Sequence, residues 1–146
     1  MANTIGVGII GASAEGGWAK ESHVPAVRAV GGLDWLVAVA TTSESSADAA
    51  AKAFGARKGY GDASAMFRDP AVDLVAIAVK VPAHRELVLG ALAVGKNVLC
   101  EWPLGRDTAE SEELAAAAKH AGGCTSRSDC RRALIPPSVA RRSSFA

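Results

Sequence analysis

The sequence predicts an α/β fold with a doubly wound parallel sheet. Apolar runs rich in Val, Ile and Leu alternate with alanine-rich stretches of helical period, which is the pattern of βαβ units. The runs are almost continuously apolar, as strands buried on both faces require. Right-handed crossovers then place helices on both sides of the sheet. The chain has 146 residues, enough for one domain with a substantial core.

The elements follow one another regularly along the chain. The predicted strands are residues 4–10, 36–40, 74–79 and 97–100. The predicted helices are residues 21–30, 46–54, 84–94 and 108–121. Each helix is followed closely by a glycine, which favours the left-handed conformation common at helix ends: Gly31, Gly55, Gly95 and Gly122. We expect ligands to bind outside the carboxyl ends of the strands.

Composition excludes several classes of partner. The formal net charge is +1, which gives no electrostatic reason to expect nucleic acid or an acidic membrane surface. No window approaches the roughly 20 apolar residues of a membrane span, and we therefore expect a cytoplasmic protein. The three cysteines show neither zinc spacing nor an even disulfide framework, which indicates a reducing compartment and no metal site. They are Cys100, Cys124 and Cys130.

A glycine-containing turn follows the first strand, where a dinucleotide fold binds phosphate. Gly11 suits the tight turn, and Gly16 suits the later position that needs a small residue. The middle glycine of G-x-G-x-x-G is replaced by Ser13, whose hydroxyl can donate to a phosphate oxygen. The next helix would point its amide groups at the phosphates. We therefore predict dinucleotide binding at Gly11, Ala12 and Ser13.

The end of the second strand bears on the choice between NAD and NADP. Proteins that prefer NAD usually have an acid here, which accepts hydrogen bonds from the ribose hydroxyls. This sequence has the neutral residues Thr41, Thr42 and Ser43. They would not repel a 2′-phosphate, although no arginine stands beside them to pair with it, so NADP is allowed and not demanded. The alternative is that they cap the next helix, with Ser43, Ser45 or Ser46 as the N-cap.

Three further segments carry a family resemblance. They are His23-Val-Pro-Ala26, the run from Asp73 to His84, and Glu101-Trp102-Pro103. Together with the turn at Gly11 they resemble the Gfo/Idh/MocA oxidoreductases from about residue 4 to residue 122. The resemblance implies a Rossmann-type NAD(P)-binding domain, and a full-length relative that passes hydride between the nicotinamide and a CH–OH carbon of a sugar or polyol.

The resemblance also implies which residues border the nicotinamide. They are Val79, Pro82 and His84, at the end of the run 74–79 and just after it, where the family has its fourth strand, together with Glu101 and Trp102. Trp18 could close over the same ring. The alternatives are that His84 only packs or caps a helix, and that the two tryptophans are ordinary amphipathic aromatics.

The lysine of the family's E-K-P signature, which helps to hold the substrate and move its proton, is absent. Trp102 stands in its place, and an indole has no titratable proton near neutral pH. We therefore assign no catalytic residue. The lysine-free signature is most similar to the branch that contains the yeast galactose-regulon repressor. The alternative function is thus a non-catalytic NAD(P)-binding regulator that binds a protein partner.

The sequence changes character after residue 123. Residues 124–146 show no strand or helix pattern, whereas family members continue with a sixth strand and a C-terminal αβ domain that is missing here. Permitted codons for residues 124–132, read one base earlier, give Val-His-Val-Ala-Ile-Gly-Leu-Gln-Ala, which is similar to that strand. We therefore hypothesise a frameshift that truncates the domain; the alternative is a genuine disordered tail. Loss of the sixth strand would leave an uncovered edge and favour a homodimer.

Overall fold

The computed structural model describes residues 5–31 and 35–121 and contains one five-stranded parallel sheet. The spatial order of the strands is β3-β2-β1-β4-β5, and every neighbouring pair is parallel. This confirms the predicted fold class. The strands are β1 (Val7–Ile10), β2 (Leu36–Ala40), β3 (Lys58–Tyr60), β4 (Leu74–Ile77) and β5 (Asn97–Cys100).

Helices connect successive strands. A π-helical turn, Ala19–His23, continues directly into α1, and a 3₁₀ turn, Val81–Ala83, leads into α4. Left-handed glycines follow two of the helices as predicted: Gly55 has φ 67° and Gly95 has φ 76°. The helices are α1 (Val24–Gly31), α2 (Glu44–Phe54), α3 (Ala63–Phe67), α4 (His84–Ala93) and α5 (Thr108–Ala121).

The sheet separates two apolar cores. On one face, alternate residues of β1 and β2 pack with α1 and α2 around Ile9, Val39 and Phe54. On the other, β4 and β5 pack with α3, α4 and α5 around Ile77, Val98 and Leu114. Both faces of each central strand are therefore covered, which explains why the strands lack polar alternation.

The structure differs from the sequence prediction at several places, among them β3, which is not one of the four predicted strands, and β1, which begins at Val7 instead of residue 4. The first helical segment begins at Ala19, two residues earlier than expected, and β4 ends at Ile77 instead of residue 79. The short helix α3 was not predicted; Asp62 caps it by accepting hydrogen bonds from the amides of Ser64 and Ala65. A five-residue helix has too few turns to show a helical period, so its capping aspartate was the available signal.

Some predictions lie outside the described residues. The tail at 124–146, the proposed frameshift within it and the boundary at residue 123 are among them. Among the described helices, none is both long and apolar enough to cross a membrane. Within residues 5–31 and 35–121, no group of His, Cys, Asp and Glu is arranged to hold a metal ion.

Candidate functional site

The turn after β1 divides the carboxyl edge of the sheet into two halves. In the strand order β3-β2-β1-β4-β5, the connection from β1 runs to β2 on one side, while β4 lies on the other. This reversal is the position at which doubly wound sheets bind ligands. One cavity lies on each side of the Gly11 turn: a first cavity toward β2, and a second cavity toward β4 and β5.

Gly11 meets a strict backbone requirement at this turn. Its φ is +87°, and a Cβ placed on it would lie 2.4 Å from the carbonyl oxygen of Ala78. Its amide donates to the carbonyl oxygen of Ala40, at the end of β2. Only glycine combines this conformation with this close approach. The turn is therefore fixed against both neighbouring strands, between the two cavities.

The first cavity has a volume of about 380 Å³ and a lining of small and hydroxyl-bearing residues. The predicted residues Gly11, Ser13, Thr41 and Thr42 all contribute to it. Ser13 is exposed, and its hydroxyl accepts a hydrogen bond from the amide of Glu15. The structure adds lining residues that the sequence reasoning did not assign to binding: Ala14, Glu15, Ser46 and Ala49.

Hydroxyl groups form a network at the start of α2. Ser43 is the N-cap and accepts from the amide of Ser46, which confirms the capping alternative for this residue. The Thr41 hydroxyl donates to the Ser43 carbonyl oxygen over 3.0 Å and also contacts the Ser46 hydroxyl. Ser43 itself does not line the cavity, whereas Thr41, Thr42 and Ser46 do. Ser43 thus caps α2, while residues on either side of it line the cavity.

The small residues of the turn have different roles from those expected. Ala12 is fully buried in the core, so only its backbone can reach a ligand. The expectation that Gly16 serves a close helix packing was wrong, because a Cβ on it would meet nothing within 4 Å. Ala19, which is fully buried at the start of the π-helical turn, takes the tight packing position. Lys20 was not anticipated: its ammonium donates to the Ala14 carbonyl oxygen and brings a positive charge beside the turn.

The second cavity has a volume of about 320 Å³ and an aromatic lining. Trp18 comes from the turn before the first helix, while Trp102 and Glu101 follow β5. Val79 and Ala78, after β4, complete the lining. Four residues that were predicted to border the nicotinamide thus lie together here: Trp18, Val79, Glu101 and Trp102. Trp18 is 58% exposed and Trp102 is 89% exposed, so neither indole belongs to a core.

An imidazole lies behind the carboxylate of this cavity. His23 Nε2 is 2.7 Å from Glu101 Oε1, and the side chains are 12% and 35% exposed. His23 Nε2 has no hydrogen-bond partner in the described part of the chain, so alignment with the carboxylate is poor despite the short distance. The contact joins the first helical segment to the loop after β5.

His84 holds together the two loops that form the second cavity. Its ring is buried, with Nε2 2.9 Å from the Val79 carbonyl oxygen and Nδ1 3.1 and 3.2 Å from those of Pro103 and Leu104. His84 was predicted to border the nicotinamide, but its imidazole lines neither cavity and packs between the loops, as the alternative had it. Pro82 lies in the 3₁₀ turn and lines neither cavity.

Cys100 is chemically quiet although it precedes Glu101. Burial, and secondarily the negative charge of Glu101, raise the pKa of the Cys100 thiol to about 12. The thiol is therefore protonated at neutral pH and is a poor nucleophile.

The chain matches a known family over most of its length. Residues 5–127 match the sequence profile of the Gfo/Idh/MocA family, described as an oxidoreductase family with an NAD-binding Rossmann fold. The family resemblance in the sequence motifs is thereby confirmed.

Individual relatives agree with this match. The chain is 40% identical over 87 residues to trans-1,2-dihydrobenzene-1,2-diol dehydrogenase of Mus musculus, covering 60% of this chain and 26% of the relative. It is 36% identical over 115 residues to 1,5-anhydro-D-fructose reductase of Ensifer adhaerens, covering 79% and 33%. The chain thus spans a quarter to a third of these relatives.

Solved structures share the fold. The 3-ketoreductase KijD10 from Actinomadura kijaniata, solved with NADP and TDP-benzene, superposes with a TM-score of 0.73 and 29% identity, over 86% of this chain and 37% of that one. A super-repressor mutant of Gal80p from Saccharomyces cerevisiae has a TM-score of 0.72 and 23% identity, over 84% and 33%. At that identity the second likeness shows the fold alone.

Proposed function

The chain belongs to the Gfo/Idh/MocA oxidoreductase family, whose NAD-binding Rossmann domain it contains, and we propose that its two cavities hold the two halves of one NAD or NADP molecule. The adenosine half would occupy the first cavity and the nicotinamide the second, with the pyrophosphate over the Gly11 turn. The observation that supports this proposal most directly is the position of the two cavities on either side of this turn.

The first cavity suits a ribose and phosphates. Its hydroxyls can exchange hydrogen bonds with sugar and phosphate oxygens, and Lys20 supplies a cation beside the turn. Glu15 is the opposing feature, because its carboxylate also lines this cavity. Since Thr41 and Thr42 carry no charge, the lining accepts a ribose hydroxyl or a 2′-phosphate.

For the complete protein we propose hydride transfer between the dinucleotide and a CH–OH carbon of a sugar or polyol. The support comes from relatives named as a diol dehydrogenase and a sugar reductase. The bound dinucleotide would supply or accept the hydride. The part of this chain is to bind and orient it; the chain spans too little of the relatives to supply the whole substrate site.

The second candidate function is that of a non-catalytic NAD(P)-binding regulator that binds a protein partner. The observation that favours it is Trp102, an exposed indole at the position where the family signature has lysine. An indole cannot transfer a proton, but it can contact a ring or a protein surface.

We also propose that the protein is cytoplasmic and that it self-associates through β5, whose described backbone pairs only with β4. A monomer in size-exclusion chromatography would contradict the self-association.

Titration with NADH and NADPH tests the binding proposal. We expect saturable micromolar binding, measured by calorimetry and by quenching of tryptophan fluorescence. Ser13→Asp should weaken it strongly, because a carboxylate would then face the phosphates. Ser64→Asp introduces the same charge on α3 and is the matched control. Failure of the wild-type chain to bind either nucleotide would refute the proposal.

Restoring the missing lysine separates the oxidoreductase from the regulator. The complete protein proposed above is compared with its Trp102→Lys variant for reduction of NAD⁺ and NADP⁺ with a panel of sugars and polyols, because this chain alone spans too little of its relatives to supply the substrate site. A gain in turnover supports the oxidoreductase. No turnover in either variant, with nucleotide binding intact, supports the regulator. Trp18→Lys is the control, since it places an ammonium in the same cavity at a different position.

A further inference from the structure

The second cavity combines two exposed indoles with one carboxylate. Trp18 and Trp102 contribute the indoles and Glu101 the carboxylate, while Ala78 and Val79 complete the lining. No lysine or arginine belongs to this lining among the described residues. The two tryptophans are also among the four large apolar side chains that are exposed in the described part of the chain. Their exposure beside a cavity calls for a ligand.

This set of groups has a defined chemical preference. An indole face carries negative electrostatic potential and attracts a cation placed over it. A carboxylate attracts the same charge, although exposure to water weakens the attraction. The complementary ligand is a flat aromatic ring with a positive charge.

The two redox states of the dinucleotide differ in this property. The oxidised nicotinamide is a planar aromatic pyridinium with one positive charge on the ring. The reduced ring is an uncharged dihydropyridine that has lost its aromaticity. A cavity of indoles and a carboxylate therefore discriminates between them, whereas a lysine at position 102 would add a like charge beside the pyridinium.

We propose that the second cavity selects the oxidised dinucleotide over the reduced one, so that the chain responds to the redox state of the NAD(P) pool. This inference rests on the proposed function, because it requires the nicotinamide in the second cavity. It assigns a specificity role to Glu101, Trp18 and Trp102 whether or not the complete protein turns over a substrate.

Contacts behind the cavity support this assignment. His23 Nε2 lies 2.7 Å from Glu101 Oε1, although without hydrogen-bond alignment, and limits the positions open to the carboxylate. His84 ties the loop that carries Val79 to the loop of Pro103 and Leu104. Glu101 and the backbone of the loops that line the cavity are thus restricted before a ligand arrives, whereas the two exposed indoles would be ordered by the ligand itself.

The affinities of four dinucleotides test the inference directly. Calorimetry on the wild-type chain gives Kd values for NAD⁺, NADH, NADP⁺ and NADPH. We expect each oxidised form to bind about ten-fold more tightly than its reduced partner, which is the scale of a partly exposed cation–π contact with a weak charge pair. ADP-ribose and its 2′-phosphate lack the nicotinamide and report the first cavity alone.

Two carboxamide variants identify the responsible charge. Glu101→Gln keeps the shape of the side chain but removes its charge, and should lower the preference for the oxidised form by about three-fold. Glu112→Gln makes the same change in net charge on a lining residue of a neighbouring cavity beyond Trp102, and should leave the preference unchanged. Trp102→Leu should remove most of the remaining preference. Circular dichroism shows whether each variant is folded.

The outcomes separate the inference from the proposed function. Equal affinities for oxidised and reduced forms, or tighter binding of the reduced forms, overturn the inference while dinucleotide binding stands. An unchanged preference in folded Glu101→Gln and Trp102→Leu overturns it as well. If neither the dinucleotides nor the ADP-ribose compounds bind, the proposed function fails and the inference fails with it.

Discussion

The two cavities at the carboxyl edge of the sheet are built from different chemistry. The first is lined by glycine, alanine, hydroxyl groups and the Glu15 carboxylate, and its shape depends on the backbone of a single turn. The second is lined by two indoles and a carboxylate, and its shape depends on side chains that tie loops together. The first cavity therefore suits a sugar and phosphates, whereas the second suits a ring whose charge can vary.

Gly11→Ala should have the largest effect, because it changes the turn that shapes the first cavity and packs against Ala78 of the second. Alanine would be strained at φ +87°, and its Cβ would clash with the Ala78 carbonyl oxygen. We expect a loss of unfolding free energy of about 2 kcal/mol or more, measured by urea denaturation. Gly16→Ala is the control, since its Cβ has open space and should change stability by less than about 0.5 kcal/mol. Equal stability of the two variants would contradict the assigned role of the turn.

His84→Ala should affect the second cavity selectively. The variant leaves three carbonyl oxygens without their imidazole partner and opens a buried space, for a cost of about 2 kcal/mol in unfolding free energy. Affinity for the dinucleotides should fall, while affinity for ADP-ribose is retained. Arg85→Ala is the control: Arg85 follows His84 on α4 and makes an exposed ion pair with Glu113 on α5, so its loss should change stability little. Parallel losses for both types of ligand would argue against a separate second cavity.

Thr42→Asp should affect only the first cavity. A carboxylate at the end of β2 would accept hydrogen bonds from a ribose and repel a 2′-phosphate. We expect the Kd ratio of NADPH to NADH to rise roughly ten-fold, with the preference for oxidised forms unaltered. Thr108→Asp, at the exposed start of α5, controls for net charge. A change in the redox preference of Thr42→Asp would show that the cavities are not independent.

The smallest effect concerns Cys100, which ends β5 next to the second cavity. Because the pKa of its thiol is raised to about 12, almost no thiolate is present at pH 8. We expect iodoacetamide to modify Cys100 far more slowly in the folded chain than in urea, as followed by peptide mass spectrometry. Rapid modification of the folded chain would place the thiol in a more open environment.

Sequence patterns predicted most of the sheet and several of the residues that line the two cavities. Continuous apolar runs located four strands, because burial on both faces leaves a clear signal. The short motifs located Gly11, Thr41 and the loops after β4 and β5, because these positions have demanding backbone or chemical roles.

Tertiary packing decided what the sequence could not. Glu110 lies in the first turn of α5, where a carboxylate is commonly solvated, but it is buried and accepts hydrogen bonds from Arg106. The small position filled by Ala19 was assigned to Gly16, since composition does not reveal which of several small residues meets the sheet. The contact between His23 and Glu101 joins segments far apart in sequence, and no local pattern contains it.

The residues that line the two cavities differ in how far apart they lie along the sequence. The first is assembled from residues 11–49, a βα segment whose parts are close in sequence. The second needs residues from 18 to 102, so its formation closes a longer loop of chain. Local unfolding of β5, which pairs only with β4 among the described strands, would then dismantle the second cavity before the first. A ligand that spans both would bind only the chain with both segments folded and would couple them into one cooperative unit.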